Sequence, residues 1–151
     1  MKVYAIINNA AIDSIPASIK KINLATDNNN VRRDVNVSIV GTNNLICSSL
    51  PYFDNNENGK IINIGSDLSL IAPDQRVYEG IFDGYTKPLS YSITKHALLG
   101  LTKYYASLLA KDNISVNMMS PGPIFNNHPK KFYNKIAKVI PMEKMGIPSE
   151  Q

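Results

Sequence analysis

Three short runs of the chain are apolar along their length rather than alternating. They are Val3-Tyr4-Ala5-Ile6-Ile7, Lys60-Ile61-Ile62-Asn63-Ile64 and Ile114-Ser115-Val116-Asn117-Met118. Runs of this kind suit strands hidden on both faces, so the pattern predicts three buried parallel strands. Between them the periodicity is helical. In residues 90–109, Ala97, Leu98, Leu101, Tyr104, Tyr105 and Leu108 recur at helix spacing. Residues 31–50 predict a second helix, weakened by Gly41 and the adjacent Asn43 and Asn44. A shorter helix over 129–139 follows the last strand. Strand–helix–strand–helix–strand requires right-handed crossovers. The expectation is an α/β fold: a partial, Rossmann-like, doubly wound parallel sheet with helices on both faces.

Polar punctuation sets the boundaries. Asp27-Asn28-Asn29-Asn30 reads as a loop, and residues 55–59 as a turn before the second strand. Residues 72–88 form a long irregular stretch that contains Gly80 and Gly84 and has Pro73 and Pro88 near its ends. A loop of that length inside a domain is usually functional, often a lid.

Composition narrows the classes. A chain of 151 residues, 44% hydrophobic and 19% charged, has the size of one domain with a real core. A single cysteine, Cys47, excludes an internal disulfide and a Cys-based zinc cluster. With only His96 and His128 beside it, no metal site is expected, and a reducing, cytoplasmic location fits best. The net charge of +4 is modest and spread out. Its one cluster, Lys130, Lys131, Lys135 and Lys138, has the spacing of a solvated helix face, so nucleic acid is not an expected partner. The longest uncharged stretch, 35–53, is broken by polar residues and Pro51, so no membrane span is expected. No leader-like segment precedes the first strand.

The sharpest chemical signal is Tyr91-Ser92-Ile93-Thr94-Lys95. Four residues along a helix place Tyr91 and Lys95 one turn apart on nearly the same face. An adjacent ammonium favours phenolate, which predicts a Tyr91 pKa below the ordinary value of about 10 and a usable acid–base group. Taken alone, such a pair is commonplace. Its context is not, because three strand ends deliver small or polar residues to one edge of the sheet, where open parallel sheets hold ligands. These are Asn8-Asn9-Ala10-Ala11, Gly65-Ser66 and Ser120-Pro121-Gly122-Pro123. Each also has a plain reading, as an Asn turn, a serine cap or a Pro-Gly turn.

Taken in order, these pieces resemble the catalytic half of a short-chain dehydrogenase/reductase. The matching segments are Asn8-Asn9-Ala10-Ala11, Asn36 within Asp34-Val35-Asn36-Val37, the strand ending in Ser66, Tyr91-x-x-x-Lys95, Val116-Asn117-Met118-Met119-Ser120-Pro121-Gly122, and Ile140-Pro141-Met142-Glu143-Lys144-Met145-Gly146. The resemblance implies that Tyr91 is the general acid or base and that Lys95 tunes it and holds the nicotinamide ribose. It further implies that Ser66 polarises the substrate oxygen and Asn36 positions a water in the proton relay. Asn9, Ala10, Ala11, Pro121, Gly122 and Ile124, with Tyr91 and Lys95, would line the nicotinamide half of an NAD or NADP site. The implied substrate is a small alcohol or carbonyl compound, and the implied complete protein is a homo-oligomer.

The departures carry expectations of their own. Ala11 replaces the usual glycine, and Gly65 stands where a second serine is common, a change expected to matter little. The interval between Ser66 and Tyr91 is longer than usual, which makes residues 72–88 a candidate substrate-selecting loop. Its wording, Ala72-Pro73-Asp74-Gln75-Arg76-Val77-Tyr78-Glu79-Gly80, resembles a bacterial subgroup linked to surface-sugar and flagellin modification, hence a sugar derivative as substrate. The family's Gly-rich turn, Thr-Gly-x-x-x-Gly-x-Gly, does not occur in these residues. Residues 1–151 therefore read as one incomplete domain, family strands 4 to 6 with their helices, about 100 residues short of a large α/β domain. The isolated chain is expected to be inactive. The competing reading is a non-catalytic remnant that pairs its open edge with another chain.

Overall fold

The three apolar runs form strands β1 (Ala5–Asn8), β2 (Gly59–Ile64) and β3 (Ile114–Met119). The computed structural model describes residues 2–13, 28–54, 58–82 and 84–150. The strands pair in parallel in the order β1-β2-β3, with Ile6 opposite Ile61 and Ile61 opposite Val116. Between β1 and β2 runs one continuous rod. It consists of α1 (Asn28–Val35), a π-helical segment Asn36–Val40 and α2 (Gly41–Ser49). Helix α3 (Leu89–Leu109) joins β2 to β3, and α4 (Lys130–Ala137) follows β3. Between α3 and β3, Asn113 takes a left-handed conformation at φ 56°, which asparagine tolerates better than most residues and which turns the chain back into the sheet.

Two expectations are corrected. Asn28, Asn29 and Asn30 form the first turn of α1 and not a loop. Asparagine costs at most roughly 0.7 kcal/mol per helical position, and packing of α1 on α3 outweighs that. Asp27, and residues 55–57 of the expected turn, lie outside the described residues. The second correction concerns the strands, which are hidden on one face only. Ile6, Ile61, Ile114 and Val116 pack with Ile46, Phe53, Tyr105 and Leu109 into the main core beneath α2 and α3. On the opposite face Ile7 is 63% exposed, and Asn117 and Met119 are also exposed. Ile62 and Ile64 on that face are half-buried, so it is only partly covered among the described residues.

A buried polar chain ties the strand ends to α3. Asn8 Nδ2 donates to Asn63 Oδ1 at 2.7 Å, Asn63 Nδ2 to Thr102 Oγ1 at 2.9 Å, and Thr102 Oγ1 to the Leu98 carbonyl at 2.7 Å. Every link satisfies a group that would be costly to bury alone.

Residues 72–82 and 84–88 fold onto α4 around a second core of Val77, Tyr78, Tyr85, Phe132, Ile136 and Met145. The α4 lysines expected on a solvated face take part. Lys131 Nζ donates to the Gly80 carbonyl at 3.0 Å, and Lys135 Nζ to the carbonyls of Arg76 and Glu79 at 2.8 and 2.9 Å. The ammonium groups supply donors to carbonyls in and just after the short 3-10 turn Gln75–Val77, of which that of Arg76 also accepts from the Glu79 N–H at 3.3 Å.

Candidate active site

Ser66 follows β2 after Gly65 and has extended backbone. The serine-cap reading holds here, because its Oγ accepts from the Leu68 N–H at 3.2 Å while its own N–H donates to Ser69 Oγ at 3.0 Å. The Ser66 hydroxyl donates to Asp67 Oδ1 at 2.8 Å. Capping thus fixes the side chain that the resemblance singled out. Gly65, expected to be a minor change, proves tightly packed. A Cβ there would lie 2.7 Å from Met118 Sδ and 3.0 Å from Ser69 Oγ, so a serine would have to displace the methionine.

Tyr91 and Lys95 sit one turn apart in the first part of α3, behind Pro88, whose extended backbone starts the helix. Lys95 is buried. Its Nζ donates to the Ile64 carbonyl at 2.9 Å and stands 5.7 Å from the Tyr91 ring centroid. Ser66 is the neighbour whose side chain favours the Tyr91 phenolate. The expected depression of the Tyr91 pKa is overturned. Burial holds it above the ordinary value, the Ser66 side chain pulls it down, and the Asp13 and Asp67 charges push it up. Burial lowers the pKa of Lys95 itself, with Asp13 raising it and Lys87 lowering it.

These residues meet at a cavity of about 820 Å³. Of the residues singled out in the sequence, Ser66, Tyr91, Pro121, Gly122 and Ile124 line it. Asn9, Ala10 and Ala11 are not in its wall; they lie exposed just beyond β1. Lys95 lies beneath it, tied to the end of β2. Asn36 is exposed at the start of the π-helical segment, where its carbonyl accepts from the Gly41 N–H. That segment packs on α3, but no hydrogen bond among the described residues joins Asn36 to Ser66, Tyr91 or Lys95.

Two wall residues escaped sequence reasoning. Lys87 Nζ stands 3.8 Å from the Tyr91 ring centroid, nearer than Lys95, and pairs with Asp13 at 2.8 Å. Its signal was available, since Lys87 precedes Tyr91 by the same four residues that separate Tyr91 from Lys95. It went unread because Lys87 lies before the helix begins. His128 packs against Phe132 and Phe125, and its Nδ1 accepts from the Asn126 N–H at 3.1 Å. Burial lowers its pKa, so the imidazole is neutral at pH 7. Among the described residues no group of three or more His, Cys, Asp or Glu could hold a metal ion, and no helix is long and apolar enough to cross a membrane.

Ser66 and the Pro121-Gly122 turn, beyond the ends of β2 and β3, thus meet Tyr91 of α3 at one cavity beside a parallel α/β sheet. The chain belongs to the short chain dehydrogenase family, whose model matches residues 1–135. It is 30% identical to a 3-oxoacyl-(acyl-carrier-protein) reductase of Thermotoga maritima over 120 residues, 77% of this chain and 44% of that protein. It is 33% identical to the 2-dehydro-3-deoxy-D-gluconate 5-dehydrogenase of Dickeya dadantii over 61% of this chain and 34% of that one. In three dimensions it matches a short chain dehydrogenase of Leptospira borgpetersenii, solved with bound NAD+. The TM-score is 0.81 and the identity 28%, over 97% of this chain and 54% of that chain. The chain therefore spans about half the length of this solved relative, and less than half of these two curated ones.

Proposed function

We propose that this chain supplies the catalytic half of an NAD(P)-dependent oxidoreductase that interconverts an alcohol and a carbonyl. The observation that carries this reading is Tyr91 and Ser66 together in the wall of a cavity at the ends of β2 and β3. Relatives solved with bound NAD+ or NAD support the cofactor class. The residues present fit its nicotinamide half. Buried Lys95 has three N–H donors and one acceptor among the described residues, the Ile64 carbonyl, and Gly122 has open space where a side chain would stand. Lys95 with Asn9, Ala10, Ala11, Pro121, Gly122 and Ile124 would hold it. When bound, the group supplies the hydride.

The protein's own part is proton transfer and orientation. Tyr91, kept protonated at neutral pH by burial, donates its phenolic proton to the carbonyl oxygen during reduction and takes it back during oxidation. Ser66, fixed by capping, turns its hydroxyl from Asp67 to the same oxygen. Asn36 is assigned the water of the proton relay. The substrate is a small molecule, and a sugar derivative fits both the wording of residues 72–80 and a relative named for a keto sugar acid. The complete protein is assigned a cytoplasmic location and a homo-oligomeric state. The 151 residues alone, without a Gly-rich phosphate-binding turn in their sequence, are expected to bind NAD(H) or NADP(H) too weakly to turn over.

The test is NAD(P)H oxidation by the full gene product with a panel of carbonyl compounds. Tyr91→Phe should lower turnover by roughly 10²–10⁴-fold, the usual worth of a positioned acid. Unchanged turnover in that variant would remove Tyr91 from the mechanism.

A further inference from the structure

We propose that Lys87 is an anion subsite beside Tyr91, where its ammonium takes a carboxylate or phosphate group carried by the carbonyl substrate in place of Asp13. The inference rests on the oxidoreductase reading above and names the substrate class of that site. Among the described residues lining the cavity, Lys87 is the one lysine or arginine. Its backbone is clamped from both sides. The Lys87 N–H donates to Gln75 Oε1 at 2.8 Å, and Gln75 Nε2 donates to the Lys87 carbonyl at 3.3 Å. Buried Pro88 follows at the start of α3. A lysine mounted this way presents its charge in one place with little left to order on binding.

The ion pair it makes is unequal. The Lys87 side chain is 12% exposed, whereas that of Asp13 is 56% exposed on the coil after β1. A carboxylate so open to water gives up its partner at little cost. The shielded ammonium, in contrast, needs some anion beside it. The other carboxylates of the wall are already engaged. Asp67 Oδ1 accepts from Ser66 Oγ and from the Leu68 N–H, and Asp74 accepts from Arg76 through Nε and Nη2. Asp13 is therefore the exchangeable counter-ion. Because Lys87 covers the ring of Tyr91 while the Ser66 side chain acts on its hydroxyl, the acidic group and the reacting carbonyl straddle one aromatic ring. They belong to a single small molecule, a few bonds apart, which is the description of an oxo acid or an oxo phosphate.

The test needs neither cofactor nor turnover. The full chain, labelled with 13C at the lysine Cε, is titrated by NMR with 2-oxobutanoate and with glycerone phosphate. Their uncharged counterparts, butanone and dihydroxyacetone, are titrated in parallel. At least one anion should shift the Lys87 signal saturably and bind ten-fold or more tightly than its neutral counterpart, and which one responds separates carboxylate from phosphate. Lys87→Arg should keep the preference and Lys87→Gln should abolish it. Asp13→Asn should tighten anion binding several-fold by removing the competitor, whereas a merely structural ion pair would leave it weaker. No shift with either anion, equal binding of charged and neutral compounds, a preference surviving in Lys87→Gln, or weaker binding in Asp13→Asn would each overturn the proposal. A failed hydride-transfer assay leaves this result readable, and lost anion preference beside intact hydride transfer rejects the Lys87 assignment alone.

Discussion

Tyr91 works under opposing influences from its neighbours. Burial and two carboxylates favour the neutral phenol, and only the Ser66 side chain favours the phenolate. The sign of the outcome can be measured. A 13Cζ-tyrosine titration of the chain should show the Tyr91 signal, identified by its loss in Tyr91→Phe, moving at a midpoint above the ordinary value of about 10. A midpoint below that value would restore the simple picture in which Lys95 dominates. The same raised pKa makes a stability statement, shared with Tyr78 and with Tyr105, which is pushed up to about 12. A group whose folded pKa is raised contributes stability that is fully present below its unfolded value. That contribution is lost as pH rises through the folded value. Unfolding midpoints in denaturant should therefore hold steady up to about pH 10 and fall beyond it as these phenols ionise.

At the scale of elements, the informative unit is the arm of residues 72–82 and 84–88 with α4. It carries Lys87 to Tyr91, and it is held by an aromatic core together with the lysine bonds to its carbonyls. Lys135 makes two of those bonds, so Lys135→Ala should cost about 1 kcal/mol of local stability. That corresponds to a roughly five-fold rise in amide exchange within residues 77–81. Exchange unchanged there, with the rest of the chain as a control, would show that the aromatic core alone holds the arm. The pattern of the chain made α3 legible, because its apolar positions repeat for five turns and both Tyr91 and Lys95 ride on it. The arm was legible only as a long irregular stretch. Its order comes from contacts between Val77, Tyr78 and Tyr85 and the distant Phe132, Ile136 and Met145, which no local spacing announces.

For the molecule as a whole, the parallel α/β sheet followed from three apolar runs separated by helical periodicity. What stayed hidden were the buried polar links. Asn63 reads as a break in an apolar strand, yet it is fully buried and joins Asn8 to Thr102. Asn63→Ala would remove the acceptor of buried Asn8 Nδ2 and one of the two bonds of Thr102 Oγ1, and should cost about 1–3 kcal/mol, read as a lowered denaturant midpoint. A loss below about 0.5 kcal/mol would mean that the partners re-pair. The partly covered face bearing Ile7 and Met119 was also misjudged, because an apolar run does not say how many of its faces are covered. The central claim, that this site moves a hydride between cofactor and carbonyl, is tested most directly by isotope transfer. The full gene product is incubated with NADH or NADPH deuterated at the nicotinamide C4 and with a carbonyl substrate, and the product is examined by mass spectrometry. The account predicts an alcohol carrying deuterium on the former carbonyl carbon, formed by the wild type and lost in Tyr91→Phe. An alcohol without the label, or one formed equally by the variant, would contradict it.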